Sequence, residues 1–174
     1  MCIQALLSGV LIMLRSVLDK MNKYMQIALD EAFSGMRKNH GGPFGAVITI
    51  KNKLIAKSHN QVIKSNDPTA HAEILAIRIA SRKLRRFDLS DCEIYSTCEP
   101  CPMCLGAIHW AKIKKLIYSC TRKDAANIGF DDKFIYDAIK GTSKKIQVRK
   151  KLLDRNLCIK AFKEWQNKED KVSY

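Results

Sequence analysis

Apolar positions recur along this chain with two different periods, and these periods predict helices and strands. Residues 22–38 carry apolar side chains at helical spacing, which predicts an amphipathic helix. Two β-rich runs, 46–50 and 54–56, flank residues 51–53 and predict a hairpin. The later predicted elements are helix 70–83, strand 93–97, helix 102–111, strand 113–119, a short helix at 134–139, a possible strand at 145–148 and a last helix at 157–166.

This order predicts one α/β domain with a mixed sheet, because strands alternate with helices and no repeat or long linker divides them. Leucines also recur at helical spacing within residues 1–20. This spacing is compatible with an amphipathic stretch that runs into the next helix, but we favour an N-terminal extension, since Met21 offers a second start. The domain itself is then expected over residues 21–174.

The charge of the chain is strongly positive and raises nucleic acid as a partner. Lys and Arg number 31 against 17 Asp and Glu, which gives a net charge of +14. Lysines account for 22 of the basic residues and arginines for only 9. Because base recognition and stacking favour arginine, we interpret much of the excess as a solvated surface, including the lysine-rich residues 140–174.

The cysteines point to a reducing compartment. Seven cysteines are an odd number, and the apolar run 5–14 is too short for a membrane span and lacks the basic start of a signal peptide. We therefore expect a cytoplasmic protein with no membrane partner. In that compartment a Cys-x-x-Cys pair indicates metal binding or redox chemistry before disulfides.

The first segment with candidate chemistry is residues 67–73, Asp-Pro-Thr-Ala-His-Ala-Glu. Pro68 and Thr69 are helix start signals, which predicts His71 in the first turn of a helix. The helix dipole there disfavours imidazolium, so a ring nitrogen remains able to bind metal.

The second candidate segment is residues 98–104, Cys-Glu-Pro-Cys-Pro-Met-Cys. Pro102 suits the first position of a helix, which places Cys101 at the N-cap and Cys104 one turn further. Amides at a helix N-terminus stabilise thiolate, the form that binds zinc. Alone, this pair is compatible with half a structural zinc site, a redox pair or a packed helix start. Combined with His71, it predicts one nitrogen and two sulfur donors for a single Zn²⁺.

No further cysteine or histidine at finger-like spacing closes this site. His109 lies five residues past Cys104 and faces down the predicted helix, so we leave it out of the ligand set. A three-donor zinc site with an open position for water is catalytic in type. Glu73, two residues beyond His71, is the expected catalytic carboxylate that takes a proton from this water.

His-Ala-Glu at 71–73 with Pro-Cys-Pro-Met-Cys at 100–104 is the signature of zinc-dependent nucleobase deaminases. The sequence resembles the cytidine deaminase superfamily, and within it the bacterial-type guanine deaminases. Residues 21–174 share the resemblance, whereas residues 1–20 lie outside it. Further matching segments are 41–48, 66–73, 103–108 and 129–132.

The resemblance implies a three-layer α/β/α fold with a central five-stranded mixed sheet. It implies one Zn²⁺ per subunit on His71, Cys101 and Cys104, and hydrolysis of guanine to xanthine and ammonia. Water activated at the metal would attack C2 of the purine, and Glu73 would relay protons towards the leaving amine.

The resemblance also implies residues that contact the purine. Asn60 would hydrogen-bond the base and Phe44 would pack on its face. Backbone groups of Ala72 and Cys101 would orient the base. Asp132 would be a second catalytic residue that contacts the polar edge of the purine and assists proton transfer. Two aromatic residues complete the expected site, Trp110 as a pocket wall and Tyr174 as a lid.

The expected partners are a small purine substrate and a second copy of the chain. Guanine deaminases of this type form homodimers with exchanged C-terminal segments, in which a terminal tyrosine closes the neighbour's pocket. Phe162, Trp165 and Tyr174 match the pattern of that segment.

Two other functions stay open at the level of sequence. A tRNA adenosine deaminase would share the zinc residues, Glu73 and Asn60, and the charge of +14 would suit RNA. A non-enzymatic zinc module that binds nucleic acid would need four protein ligands and would leave Glu73 without a role. Among small substrates, guanosine and other aminopurines also remain open, because the pocket walls decide whether a sugar fits.

Overall fold

Helices and strands alternate along the part of the chain that the computed structural model describes, residues 22–142, 148 and 150–173. The chain divides into a first unit that ends at Asp131 and a second that begins at Asp132. The first unit contains α1 (Lys23–Arg37), β1 (Gly45–Ile50), β2 (Lys53–His59), α2 (Val62–Ser65), α3 (Ala72–Leu84), β3 (Cys92–Cys98), α4 (Pro102–Trp110), β4 (Lys115–Cys120) and α5 (Arg122–Asn127). The second unit contains α6 (Lys133–Ile139) and α7 (Arg155–Asn167).

The strands form one mixed sheet in the order β2-β1-β3-β4. β1 pairs antiparallel with both β2 and β3, whereas β3 and β4 are parallel. The predicted hairpin is confirmed, because Lys51 and Asn52 adopt positive φ angles of 44° and 59° between β1 and β2. Two consecutive left-handed residues match the right-handed twist of the flanking strands.

Alternate residues of β1 contribute to two different core clusters. Val47 packs with Tyr24, Met25 and Ala28 of α1, whereas its neighbour Ile48 belongs to the cluster that includes α3. Successive side chains of a strand point to opposite faces, so α1 and α3 contact different faces of β1. The residues of α3 in the second cluster are Ala72, Ala76 and Ala80.

α1 approaches β1 closely at Gly45. A Cβ at this residue would lie 1.9 Å from the carbonyl oxygen of Ala28, so any larger side chain would separate the helix from the strand. The helix itself begins where predicted, because the Asn22 side chain caps the backbone N–H groups of Tyr24 and Met25.

The expected number of strands is wrong for the described residues, in which the sheet has four strands and not five. After β4, the chain enters α5, where Thr121 and Asp124 form a capping box that starts a helix. The possible strand at 145–148 lies mainly outside the described residues, since 143–147 are not among them. The short helices α2 and α5 were not predicted, because neither contains enough turns for a periodic pattern.

The second unit is helical where it is described. The predicted helices near 134–139 and 157–166 correspond to α6 and α7, and each boundary differs by no more than two residues. Across the described residues, no helix combines the length and apolar character needed to cross a membrane.

Candidate metal centre and active site

His71 is the N-cap of α3, with φ −72° and ψ 154°. Its carbonyl accepts the first helical hydrogen bond, from Leu75 N–H at 3.0 Å, while its own backbone is extended. The prediction placed it in the first turn, and the structure corrects this by one residue. The turn before it is fixed by Asp67, whose Oδ1 accepts from both the backbone N–H and the hydroxyl of Thr69 at 2.8 and 2.7 Å.

The two candidate sulfur donors begin α4 as predicted. Cys101 is the N-cap and Pro102 is the first helical residue, while the Cys104 side chain is fully buried one turn later. β3 leads directly into this segment, and the N–H of Glu99 donates to the carbonyl of Cys120 at 2.8 Å. The parallel pairing of β3 and β4 therefore continues almost to the first sulfur donor.

The candidate metal centre consists of His71, Cys101 and Cys104, whose ligand atoms all lie within 4.8 Å of one another. The His71 Nδ1 atom is 3.5 Å from each of the two Sγ atoms. One imidazole and two thiols are donors that Zn²⁺ prefers, and three protein ligands are typical of catalytic zinc sites. The residues present therefore fit zinc, and within the described chain this group has three donors, not the four that a closed structural module requires.

The electrostatics favour a thiolate at the entrance of α4. Hydrogen bonds from the Cys104 thiol, His71 and the Cys104 backbone N–H outweigh burial and lower the pKa of Cys101 to about 4. The proton retained on Cys104 has its pKa raised by the same bond and by burial. The hydrogen bond with Cys101 also raises the pKa of His71. Metal binding requires deprotonated thiols, and the lowered pKa of Cys101 favours this form at one of the two sulfur donors.

Glu73 lies beside these donors in the first turn of α3 and is only 6% exposed. Its Oε1 accepts from the Ser96 hydroxyl at 3.0 Å, and its Oε2 lies 3.5 Å from the Cys104 Sγ atom. Burial raises the pKa of this carboxyl. A buried carboxyl next to a metal centre is suited to hold and transfer a proton.

Asn60 is 5% exposed and lies between the glycine-rich loop, residues 39–44, and residues 67–73, which lead to His71. Its backbone N–H donates to the carbonyl of Phe44 at 3.0 Å, and its Oδ1 accepts from Val62 N–H at 3.2 Å. The next residue, Gln61, donates to the carbonyl of Ala70 at 2.9 Å, directly before His71. The side chain is thus held at the junction of the two segments.

The other predicted substrate residues lie in different environments. Phe44 makes an edge-to-face contact with Phe130, with ring centroids 4.9 Å apart, and also packs on the core cluster that contains Ala72. Ala72 is fully buried as the first residue of α3. Trp110, at the end of α4, is 70% exposed.

Two predicted residues are not part of the described first unit, which contains the metal centre. Asp132 begins the second unit, directly before α6. Tyr174 lies outside the described residues.

Comparison with known proteins assigns the chain to a family. The family model for the cytidine and deoxycytidylate deaminase zinc-binding region matches residues 18–120, more than half of the chain. The chain belongs to this deaminase family. The match contains both segments of the metal centre, and the zinc-binding character of the family agrees with the donor set described above.

Relatives of this deaminase have two kinds of substrate in their names. The guanine deaminase of Bacillus subtilis (strain 168) is 42% identical over 151 residues, or 87% of this chain and 97% of the relative. A tRNA-specific adenosine deaminase of Buchnera aphidicola subsp. Schizaphis graminum (strain Sg) is 36% identical over 137 residues, or 79% of this chain and 87% of the relative.

Two solved structures are also similar to this chain. The X-ray structure of guanine deaminase from Bacillus subtilis matches with a TM-score of 0.83 at 42% identity and covers 88% of this chain and 99% of that chain. The structure of NE0047 in complex with 2,6-diaminopurine matches with a TM-score of 0.60 at 35% identity and covers 63% of this chain and 61% of that chain.

Sequence reasoning missed Ser96, the hydroxyl that contacts Glu73 in this deaminase. A signal was present, because Ser96 and Thr97 are polar residues within a β-rich segment, directly before Cys98, and both are buried in β3. The Thr97 hydroxyl is also hydrogen-bonded, since its Oγ1 accepts from Gly45 N–H at 3.0 Å.

Proposed function

We propose that this deaminase hydrolyses guanine to xanthine and ammonia with one zinc ion per subunit. The observation that carries the proposal is the three-donor centre of His71, Cys101 and Cys104 beside the buried carboxyl of Glu73. Guanine is favoured because the guanine deaminase of Bacillus subtilis aligns over 97% of its own length. The complex of NE0047 with 2,6-diaminopurine supports a purine base carrying an exocyclic amine as the ligand.

In this proposal His71, Cys101 and Cys104 would hold zinc, which when bound would act as a Lewis acid and lower the pKa of water. Glu73 accepts the proton of the attacking water and delivers it towards the leaving amine. The Ser96 hydroxyl, 3.0 Å from its Oε1, fixes the orientation of the carboxyl. Burial keeps competing water away from Glu73, so the proton passes between the carboxyl and the substrate.

Asn60 is proposed to hydrogen-bond the purine, since its buried amide retains donor capacity beyond the bond that its Oδ1 accepts. Phe44 is proposed to pack on the ring face, while the backbone of Ala72 and Cys101 orients the base. Asp132 is proposed to contact the polar edge of the purine and to assist proton transfer. The remaining proposed contacts are Trp110 as a pocket wall and Tyr174 as a lid.

We also infer a homodimer with exchanged C-terminal segments, located in the cytoplasm. Phe162 and Trp165 of α7 are 71% and 46% exposed, and exposed aromatic side chains favour burial in an assembly. The contacts of α1 and α3 with different faces of β1 support a three-layer arrangement. Residues 21–174 would form the deaminase domain and residues 1–20 an extension.

The proposal is tested by ammonia release from guanine, guanosine, cytidine, adenine and a tRNA anticodon stem-loop, each with and without a zinc chelator. We expect turnover of guanine that the chelator abolishes and added zinc restores. Turnover of another base with no guanine activity would overturn the substrate assignment. Guanine turnover that survives verified removal of the metal would overturn the zinc assignment.

A tRNA adenosine deaminase is the second candidate, favoured by the net charge of +14 and by the Buchnera relative. The stem-loop in the same assay separates the two, because inosine in the RNA identifies this activity. Raising the salt concentration should weaken RNA turnover steeply and leave turnover of an uncharged base nearly constant.

A further inference from the structure

Two histidines outside the metal centre contact each other where β2 ends. The His40 Nδ1 atom is 2.9 Å from His59 Nε2, and the two rings stack with centroids 5.2 Å apart. The other ring nitrogen of His59, Nδ1, is 2.8 Å from Oε2 of Glu31 on α1. Lys57 pairs with the second oxygen of that carboxylate at 2.9 Å. None of these four residues takes part in the proposed reaction.

The contact between the rings requires a particular number of protons. The distance of 2.9 Å between His40 Nδ1 and His59 Nε2 is a hydrogen bond, in which one nitrogen donates and the other accepts. Two doubly protonated rings would bring two N–H donors and two positive charges together. The contact therefore persists only while at least one of the facing nitrogens is unprotonated.

Charged neighbours act differently on the two rings. Burial raises the pKa of Glu31, but hydrogen bonds from His59 and Lys57 outweigh it and keep this carboxyl ionised. Around His40, desolvation together with the positive charges of Lys64, His59 and Lys38 lowers the pKa of the ring. The surroundings thus keep His40 neutral near neutral pH, and acidification is needed to charge both rings.

The histidine contact lies one residue away from a contact made by a proposed substrate residue. Gly41 follows His40 and Asn60 follows His59, and a Cβ on Gly41 would lie 2.0 Å from the Oδ1 atom of Asn60. The loop backbone is therefore packed directly against the Asn60 amide. Phe44, at the end of the same loop, accepts the backbone hydrogen bond of Asn60 at 3.0 Å.

Contacts with α1 and α2 hold both histidines in place. A Cβ at Gly35 of α1 would lie 2.4 Å from Cδ2 of His59, so the imidazole occupies the space that this glycine leaves. The carbonyl of His40 accepts from the N–H groups of Ile63 and Lys64, each at 3.0 Å. The ring contact therefore joins α1, the glycine-rich loop and the start of α2 around Asn60.

We propose that His40 and His59 are positioning residues for the substrate: their contact holds the Asn60 amide in place, and protonation of both rings releases it. Acid should thus weaken purine binding through these rings, separately from any effect on the metal centre. The identity of the substrate rests on the proposed function, whereas the ring contact and its titration do not.

The test compares leucine and glutamine at the two rings in the zinc-loaded protein, with guanine as substrate. His59→Leu and His40→Leu remove the hydrogen bond and retain bulk, whereas His59→Gln retains a neutral hydrogen-bonding group. His109→Gln, an exposed histidine at the end of α4, is the matched control. At about pH 8, where histidine is neutral, we expect the leucine variants to raise KM about tenfold with kcat within about threefold.

The pH dependence separates positioning from a purely structural role. As the pH is lowered from about 8, KM should rise in the wild type and in His109→Gln once both rings of the contact carry a proton. His59→Gln should keep KM nearly constant over the same change in pH, because no second charge can form beside His40. Effects of acid on the metal centre are common to all variants and cancel in the comparison.

Imidazole nitrogen NMR follows His40 and His59 without any substrate. We expect coupled titration of the two rings in the wild type and simple titration of His40 in His59→Gln. Independent titration in the wild type would overturn the proposal, as would a wild-type KM in both leucine variants or a wild-type pH profile in His59→Gln. Coupled rings in a protein without guanine turnover would overturn the proposed substrate alone, and KM would then be replaced by the dissociation constant of 2,6-diaminopurine.

Discussion

His71 and His59 are both largely enclosed by protein, yet their ring nitrogens meet different chemistry. His71 presents Nδ1 to two sulfur atoms at the start of α4. His59 presents one nitrogen to a carboxylate and the other to a second imidazole. The first arrangement leaves three converging donors for a cation, whereas the second uses both nitrogens in hydrogen bonds. The neighbours, more than the burial of the ring, determine which histidine is placed to bind a metal ion.

The largest effect is expected where the metal centre itself is broken. Cys104→Ser replaces a fully buried sulfur donor with a hydroxyl that binds zinc poorly. We expect loss of bound zinc by elemental analysis and loss of guanine turnover by at least about a thousandfold. Cys158→Ser, at an exposed position in α7, is the matched control and should keep both. Full zinc occupancy in Cys104→Ser would remove Cys104 from the ligand set.

Glu73→Gln sharpens the distinction between holding the metal and moving a proton. The amide retains the shape of the carboxyl but cannot accept the proton, so kcat should fall about a hundred- to ten-thousandfold with zinc retained. Steady-state kinetics and elemental analysis on one preparation measure both quantities. Glu93→Gln changes a partly exposed carboxylate that pairs with Lys115, and it should leave kcat unchanged. Comparable losses in the two variants would contradict the assignment.

Ser96→Ala should have an intermediate effect. The variant removes the hydroxyl that donates to Oε1 of Glu73 at 3.0 Å. We expect kcat to fall about tenfold, because the carboxyl then occupies several orientations. Ser119→Ala, an exposed serine on β4, provides the control. Wild-type kcat in Ser96→Ala would show that burial alone orients Glu73.

Gly35→Ala should disturb the contact between His40 and His59 through packing alone. The added methyl would meet the His59 ring at 2.4 Å, so the ring must shift and stability should fall by about 1–3 kcal/mol. The matched control is Gly106→Ala in α4, where nothing lies within 4 Å of the new Cβ. That helical glycine should gain about 0.5–1 kcal/mol as alanine. Urea unfolding measures both, and equal stabilities would show that the ring is not held against α1.

The sequence predicted the metal centre better than the histidine contact, and the physical reason is local spacing. Cys101 and Cys104 lie within one helical turn, and Pro102 fixes where that turn begins, so their relation follows from a few residues. The position of His71 could be predicted from the helix start signals that precede α3. By contrast, His40, His59 and Glu31 come from three separate elements, and no local pattern brings them together.

The same reasoning explains the successes and errors in the fold. The β1–β2 hairpin is local and was predicted, including its turn at Lys51 and Asn52. The parallel pairing of β3 with β4 joins strands separated by a helix, so only their separate existence could be predicted. The number of strands came from resemblance to other proteins, and the described residues contain one fewer.

The pairing of β3 with β4 continues as far as Glu99. Retention of the metal should therefore indicate that this part of the sheet is folded. The N–H of Glu99, two residues before Cys101, donates to the carbonyl of Cys120. Separation of β3 from β4 would therefore move the Cys101 sulfur away from the His71 imidazole. Zinc release should consequently follow the same denaturant curve as sheet unfolding. Counting ions in a purified batch would then also count correctly folded molecules.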